Sequence, residues 1–409
     1  QPPVKGTTGA SLLPKLSIGL PAWMHFAHRM KTTMNRTWKT LLTASLMPMV
    51  LNAQAATLLV GSYTDSPSKG IYRYAFDTTT GRITPAPLQV VERVSPSWLV
   101  LSEDNRPLFA VTETPKGHVR SFAVGSDGAI TFINQVSSLG DEPTHASLSQ
   151  DQRYLFVGNY SVSAETGGSL VVLPVDKHGK LGPAVQQERH VPSGVNPERQ
   201  AGAHVHAMVP SPDGQHVYAS DLGADKVFIY RYDGASQGHP LSPAIPPAAA
   251  LPPGSGPRHL VFDAKGSHAY LTLEMSAEVV VFDVQKGALV ERQRLPLTER
   301  PEAAAKAAGG LHLSADGRFL YVSNRGTVNQ IVVFAVGKDD GRLALVQRRS
   351  VEGDHPREFT LDPSGNFLLV ANQKSNEIVV LHRDPLSGKL GEAVQTLHQP
   401  APSDLKFIP

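Results

Sequence analysis

The sequence contains no cysteine among its 409 residues, so an oxidising compartment neither helps nor harms the fold, and burial alone must stabilise it. It also lacks a charge imbalance: 38 Lys+Arg face 36 Asp+Glu, a net charge of +2, and no basic block stands out. A nucleic-acid partner therefore has no electrostatic footprint here. Aromatic residues are scarce, 7% with three Trp, which argues against a protein built around exposed aromatic docking patches. What remains, 41% hydrophobic and 18% charged, is the composition of a chain able to bury a sizeable core.

The N-terminal region reads as an address rather than a fold. From Met30 the sequence runs MKTTMNRTWKTLLTASLMPMVLNAQA. Basic residues (Lys31, Arg36, Lys39) lead into the mostly apolar run Leu41–Leu51, and Ala53-Gln54-Ala55 supplies an A-x-A cleavage signal. The run is too short to span a bilayer. We expect a signal peptide over 30–55 and a mature protein from about Ala56 to 409. Residues 1–29 precede a plausible start and are set aside from the fold. Export without a later membrane span implies a soluble periplasmic or secreted protein, with no membrane insertion after signal removal.

The mature region is a set of repeats. Short apolar strands running into S-x-D-G-type turns recur as PSWLVLSED (from Pro96), PTHASLSQD (Pro143), VHAMVPSPD (Val205), PRHLVFDAK (Pro257), AGGLHLSAD (Ala308) and PREFTLDPS (Pro356). A seventh, PSDLKFIP, begins at Pro402. Each of the first six is followed by a second strand such as LFVGNY or LYVSNR, and the partner missing from the seventh stands at the other end as LLVGSY, 58–63. A period near 50 with about four strands per repeat predicts an all-β, seven-bladed β-propeller of four-stranded antiparallel blades. Its ring is closed by N- and C-terminal strands sharing one blade. A two-sheet sandwich would need no such set of equivalent copies.

Equivalent positions in different blades fall on a ring. The residue after each anchor gives Ser97, Thr144, His206, Arg258, Gly309, Arg357 and Ser403. The end of each second strand gives Glu113, Tyr160, Leu222, Glu274, Arg325 and Gln373, with Tyr63 in the split blade. Both sets belong at one mouth of the central channel, where three arginines, a carboxylate and an imidazole imply a polar ligand: converging guanidiniums repel unless an anion or developing oxyanion answers them. His204 and His206, two apart on a predicted strand, are expected on one face. His145 and His259 follow the ring by one residue, with opposite parity. The enlarged connection HVPSGVNPERQAGAH, 190–204, is expected at the rim. His204, His206 and Asp221 are ligand types suited to zinc, but the surrounding arginines raise the cost of a cation, and no metal is expected.

The stretches HVHAMVPSPDG (204–214), GPRHLVF (256–262), LEMSAEV (273–279), LYVSNRG (320–326) and HPREFTLDPSG (355–365) resemble the lactonase family of seven-bladed propellers. That family includes bacterial 6-phosphogluconolactonases and fungal carboxymuconate lactonizing enzymes. The resemblance covers about residues 57–409. It implies a site made of His206 (or His204), Arg258, Glu274 and Arg325, the four that the repeat alignment assembles independently. One departure is Leu273, where an Asn often precedes the Glu in the phosphogluconolactonase type.

The expected activity is hydrolysis of a small-molecule aldonolactone without a cofactor. His206 or Glu274 would act as base, and Arg258 and Arg325 would face the oxyanion. His204, His145, Tyr160, His259, Arg357, Gln373 and Tyr63 are expected to contact substrate. Because sugar phosphates stay in the cytoplasm, an exported member should meet glucono-1,5-lactone. The competing readings are a 6-phosphogluconolactonase, a carboxymuconate cycloisomerase and a non-enzymatic binding propeller.

Overall fold

Each repeat forms one antiparallel sheet. The computed structural model describes residues 55–163 and 167–408. Residues 1–29 and, except for Ala55, the expected signal peptide lie outside the described residues. Among the latter no helix is long and apolar enough to cross a membrane.

Six sheets of four strands lie at 99–137, 141–188, 205–250, 257–296, 308–350 and 356–398, here blades 2 to 7. Blade 1 is the split one: Pro402–Ile408 pairs with Ala55–Ser62, which pairs with Gly70–Asp77. Its outer strand is broken into Arg82–Ile83 and Gln89–Glu92. Inner strands of successive blades touch around the ring, and the C-terminal strand of blade 1 contacts those of blades 2 and 7. Closure therefore hydrogen-bonds the two ends of the fold to each other and leaves no terminal sheet face bare.

The period-2 alternation of each strand sends one set of side chains to each neighbouring blade. Among the described residues the buried core resolves into seven clusters, one per blade interface; Phe76 and Phe367, for instance, join blades 1 and 7. Polar staples repeat alongside. Gln347 in blade 6 donates to the Leu390 carbonyl (2.9 Å) and accepts from its N–H (2.8 Å). Gln89, Asn134, Gln186, Gln293 and Gln395 bind the next blade in the same two-pronged way. Blade 4 has no amide to offer, since its outer strand reads LSPAIPPAAA. Three buried tyrosines, Tyr218, Tyr270 and Tyr321, add hydroxyl bonds to turn carbonyls of the following blade, at Gly287, Gly341 and Gly388. Those turn glycines have positive φ, and a Cβ on Gly287 would stand 2.4 Å from His216.

Candidate active site

The ring residues owe their aim to a backbone irregularity. In six blades the residue after the anchor drops out of the ladder. Thr144, His206, Arg357 and Ser403 are each skipped in the pairing; Arg258 with His259 opposes Thr272 alone, and Gly309 with Gly310 opposes Ser323 alone. A bulge leaves its extra residue unpaired and turns the strand locally, which frees these side chains to point along or into the channel.

Above the bulges lies a cavity of about 260 Å³. Its centre is Glu274, at the end of the second strand of blade 5. Oε2 is 3.0 Å from Arg258 Nε and 3.1 Å from Arg325 Nη2, and Oε1 is 2.7 Å from Arg199 Nη2. Burial alone would raise its pKa, but Arg325, Arg258 and Arg199 together hold the carboxyl well below the usual range. Arg325 is fixed in turn, donating from Nε to the Ala307 carbonyl (3.1 Å) and from Nη2 to that of Ala308 (2.8 Å). Arg258 is 1% exposed, and its Nη1 has no hydrogen-bond partner.

Arg357 forms the opposite wall. It lies 5.1 Å above the Tyr63 ring, 3.4 Å from Thr144 Oγ1 and 3.8 Å from Glu113, which accepts a 2.8 Å bond from Tyr63 Oη. Between the walls stands His206, 3% exposed, edge-on to Tyr160 (5.7 Å between ring centroids). Burial, then the nearby Arg258, pulls its pKa well below the ordinary value, so the imidazole is neutral at neutral pH.

Of the residues expected from sequence, His206, Glu274, Arg325, Arg357 and Tyr160 line this cavity. Arg258 backs Glu274, and Tyr63 supports Arg357 from beneath. The remaining four stand elsewhere. His204 and His206 do not sit side by side: His204 precedes the strand Val205–Pro210 and His206 occupies its bulge, so the i, i+2 rule does not apply. His204 instead stacks on Tyr160 (4.4 Å) and bonds through Nδ1 to the Tyr160 carbonyl, beside a neighbouring recess. His145 and His259 face the opposite mouth of the channel, packed against Trp98. Gln373 is outside the cavity lining; its backbone N–H donates to the His355 carbonyl (3.1 Å). Asp221, weighed as a metal ligand, is engaged by His190 Nδ1 (2.8 Å) and by the backbone N–H groups of His204 and Ala224.

Four cavity residues were not given a site role from sequence: Arg199, Glu142, and the ring positions Glu113 and Thr144. Arg199 comes from the 190–204 connection. Asn196 Oδ1 accepts its backbone N–H, and the next residue, Gln200, is fully buried and donates to the Leu222 carbonyl (2.9 Å). The long anchor spacing is the only signal that pointed to it. Three lining guanidiniums, Arg199, Arg325 and Arg357, face three carboxylates, Glu113, Glu142 and Glu274, beside a neutral imidazole, with Arg258 behind Glu274. Such a site can polarise a carbonyl, activate a water and receive a carboxylate.

Residues 57–407 match the family described as Lactonase, 7-bladed beta-propeller. A 6-phosphogluconolactonase of Formosa agariphila is 33% identical, over 86% of this chain and 99% of its own. One from Bacillus subtilis is 31% identical, over 85% and 97%. Among solved structures, the Pseudomonas aeruginosa periplasmic gluconolactonase PpgL shares 48% identity with a TM-score of 0.83, covering 87% of this chain and 99% of its own. A putative 6-phosphogluconolactonase from Bacteroides fragilis shares 32% identity with a TM-score of 0.80, covering 88% and 100%.

Proposed function

The chain belongs to the lactonase family of seven-bladed β-propellers, and we propose that it is the member that opens an unphosphorylated aldonolactone, glucono-1,5-lactone, to gluconate in the periplasm. The observation that carries the chemistry is the convergence of Arg199, Arg258 and Arg325 on Glu274 beside neutral His206. Both oxygens of Glu274 are already held by guanidiniums, which supports His206 as the group that takes the proton and Glu274 as the one that orients the arginines.

Water adds to the lactone carbonyl as His206 accepts one of its protons. Charge gathers on the carbonyl oxygen, opposite Arg325, while Arg258 holds Glu274 from behind. On collapse the ring C–O bond breaks, and the imidazolium returns its proton to the departing alkoxide. The new carboxyl group then ionises against the arginines. Donors fixed before substrate arrives cost nothing to reorganise at the barrier.

Two points support the unphosphorylated substrate. The guanidiniums that line the cavity are matched in number by carboxylates, which leaves no surplus charge for a phosphate dianion, and the export signal read from sequence matches the compartment named for PpgL. A 6-phosphogluconolactonase is the second reading, favoured by the names of the curated relatives. Acid release from glucono-1,5-lactone and from its 6-phospho form by the purified protein decides between them. Preference for the phosphorylated lactone selects the second reading; rates equal to buffer on both remove the two together.

A further inference from the structure

Below the cavity the channel narrows to a throat and opens again at the other mouth. The throat holds about 10 Å³ between His206, Arg258, His259, Arg357 and Glu358. Three buried polar atoms of these residues lack a partner: His206 Nδ1, Arg258 Nη1 and His259 Nε2. Space for about one water and two to four polar groups to bind it are what a structural water requires.

From the throat a line of titratable groups continues. His259 Nδ1 is 3.5 Å from Glu358 Oε2, and Glu358 Oε1 is 2.7 Å from His312 Nε2. Glu358 is 2% exposed, whereas the His312 side chain is 33% exposed in a recess of about 420 Å³ at the far mouth. The Gly309-Gly310 bulge makes room for this carboxylate, since a Cβ on Gly310 would stand 2.2 Å from Glu358 Oε1. Besides these two imidazoles Glu358 accepts the Phe359 backbone N–H (3.0 Å), and a carboxylate buried so deeply costs desolvation that an apolar side chain here would avoid.

We propose that His206, one throat water, His259, Glu358 and His312 form a proton relay that carries the proton of each turnover through the propeller to solvent at the mouth opposite the substrate. The relay rests on the reading of His206 as the base of a lactonase. Its balance is simple. One water enters each hydrolysis, and the product acid ionises, so one proton must leave while product still fills the upper mouth. It passes from the new carboxyl group to His206, from Nδ1 to the water and from the water to His259 Nε2. His259 Nδ1 then gives a proton to Glu358, Glu358 to His312, and His312 to bulk water. Burial, with Arg258 beside it, pushes the His259 pKa down to about 3, which suits passage and not storage. The other charged groups facing this line include Arg357 and Arg258 above it and, beside it, His145 and Lys406, whose Nζ is 2.7 Å from the buried Asp404 carboxylate.

The test is kcat on glucono-1,5-lactone in dilute buffer, with and without added imidazole, for the wild type, His312→Gln and Glu358→Gln. Thermal unfolding checks that each variant is folded. We expect kcat to drop about tenfold in both variants with KM unchanged, and imidazole entering the lower recess to restore it, while the wild type ignores the buffer. His312 is remote from the substrate, so His312→Gln stays informative if Glu358→Gln fails to fold. Variants as fast as the wild type, or slowed without rescue, overturn the relay alone. A wild type that opens no lactone overturns the assigned activity first, and the relay with it.

Discussion

The outside of the ring and its axis use repetition in opposite ways. Between blades the residue itself repeats: Gln347, Gln395 and Gln89 each reach across with the same two bonds. Along the axis only the backbone repeats. The bulge recurs, but it carries Thr144, His206, Arg258, Gly309, Arg357 and Ser403 in turn. A scaffold can be copied seven times; a site for an asymmetric substrate has to break the copy. Substitutions at the two regions should therefore separate stability from rate.

The largest effect is expected at the axis. His206→Ala should lower kcat on a lactone by about 10²–10⁴-fold because it removes the base, and Arg258→Ala should lower it too because it frees Glu274, which positions Arg325 and Arg199. Steady-state kinetics with a matched unfolding curve checks this. On the outside, Gln347→Ala should lose about 1–3 kcal/mol by leaving the Leu390 N–H and carbonyl unpaired, with kcat unchanged. Urea unfolding measures that loss, and an equal fall in kcat would break the comparison.

Acidification sharpens the contrast. His145 and His206 have pKa values well below 6.5 and His259 is pushed to about 3, so the unfolded chain binds more protons as soon as pH drops below about 6.5. Their stabilising contribution is complete above that pH and is lost as pH falls toward the folded values, at up to about 1.4 kcal/mol per pH unit for each. The melting temperature should accordingly decline between pH 7 and 5. In the same range kcat/KM should stay flat, since His206 remains neutral in the fold. A rate that halves near pH 6.5 would mean a base with an ordinary imidazole pKa. The smallest effect belongs to the rim: Arg199→Ala should raise KM several-fold with little loss of stability, because its side chain is 42% exposed.

The propeller and its closure were legible because hydrophobic alternation and turn chemistry recur in every repeat. The ring of Arg258, Glu274, Arg325 and Arg357 was legible for the same reason, since equal offsets from the anchors mean equal heights on the axis. A parity argument failed at one bulge. Strand alternation placed His204 beside His206, whereas the bulge moves His204 off that face; for His145 and His259 the opposite parity agrees with their place at the far mouth, and their expected contact with substrate does not. Arg199 lies in a connection that the repeat does not align, so no offset could assign it, and Glu142 precedes its anchor by one residue, a position outside the two sets that were compared.

The central claim is that the bulged positions and the second-strand ends gather a working base and its guanidiniums at one mouth of the channel. Acid release from glucono-1,5-lactone, measured for wild type and for folded His206→Ala, tests it most directly. The account predicts a wild-type rate far above spontaneous opening and a variant rate close to it. Equal rates from the two proteins would contradict it.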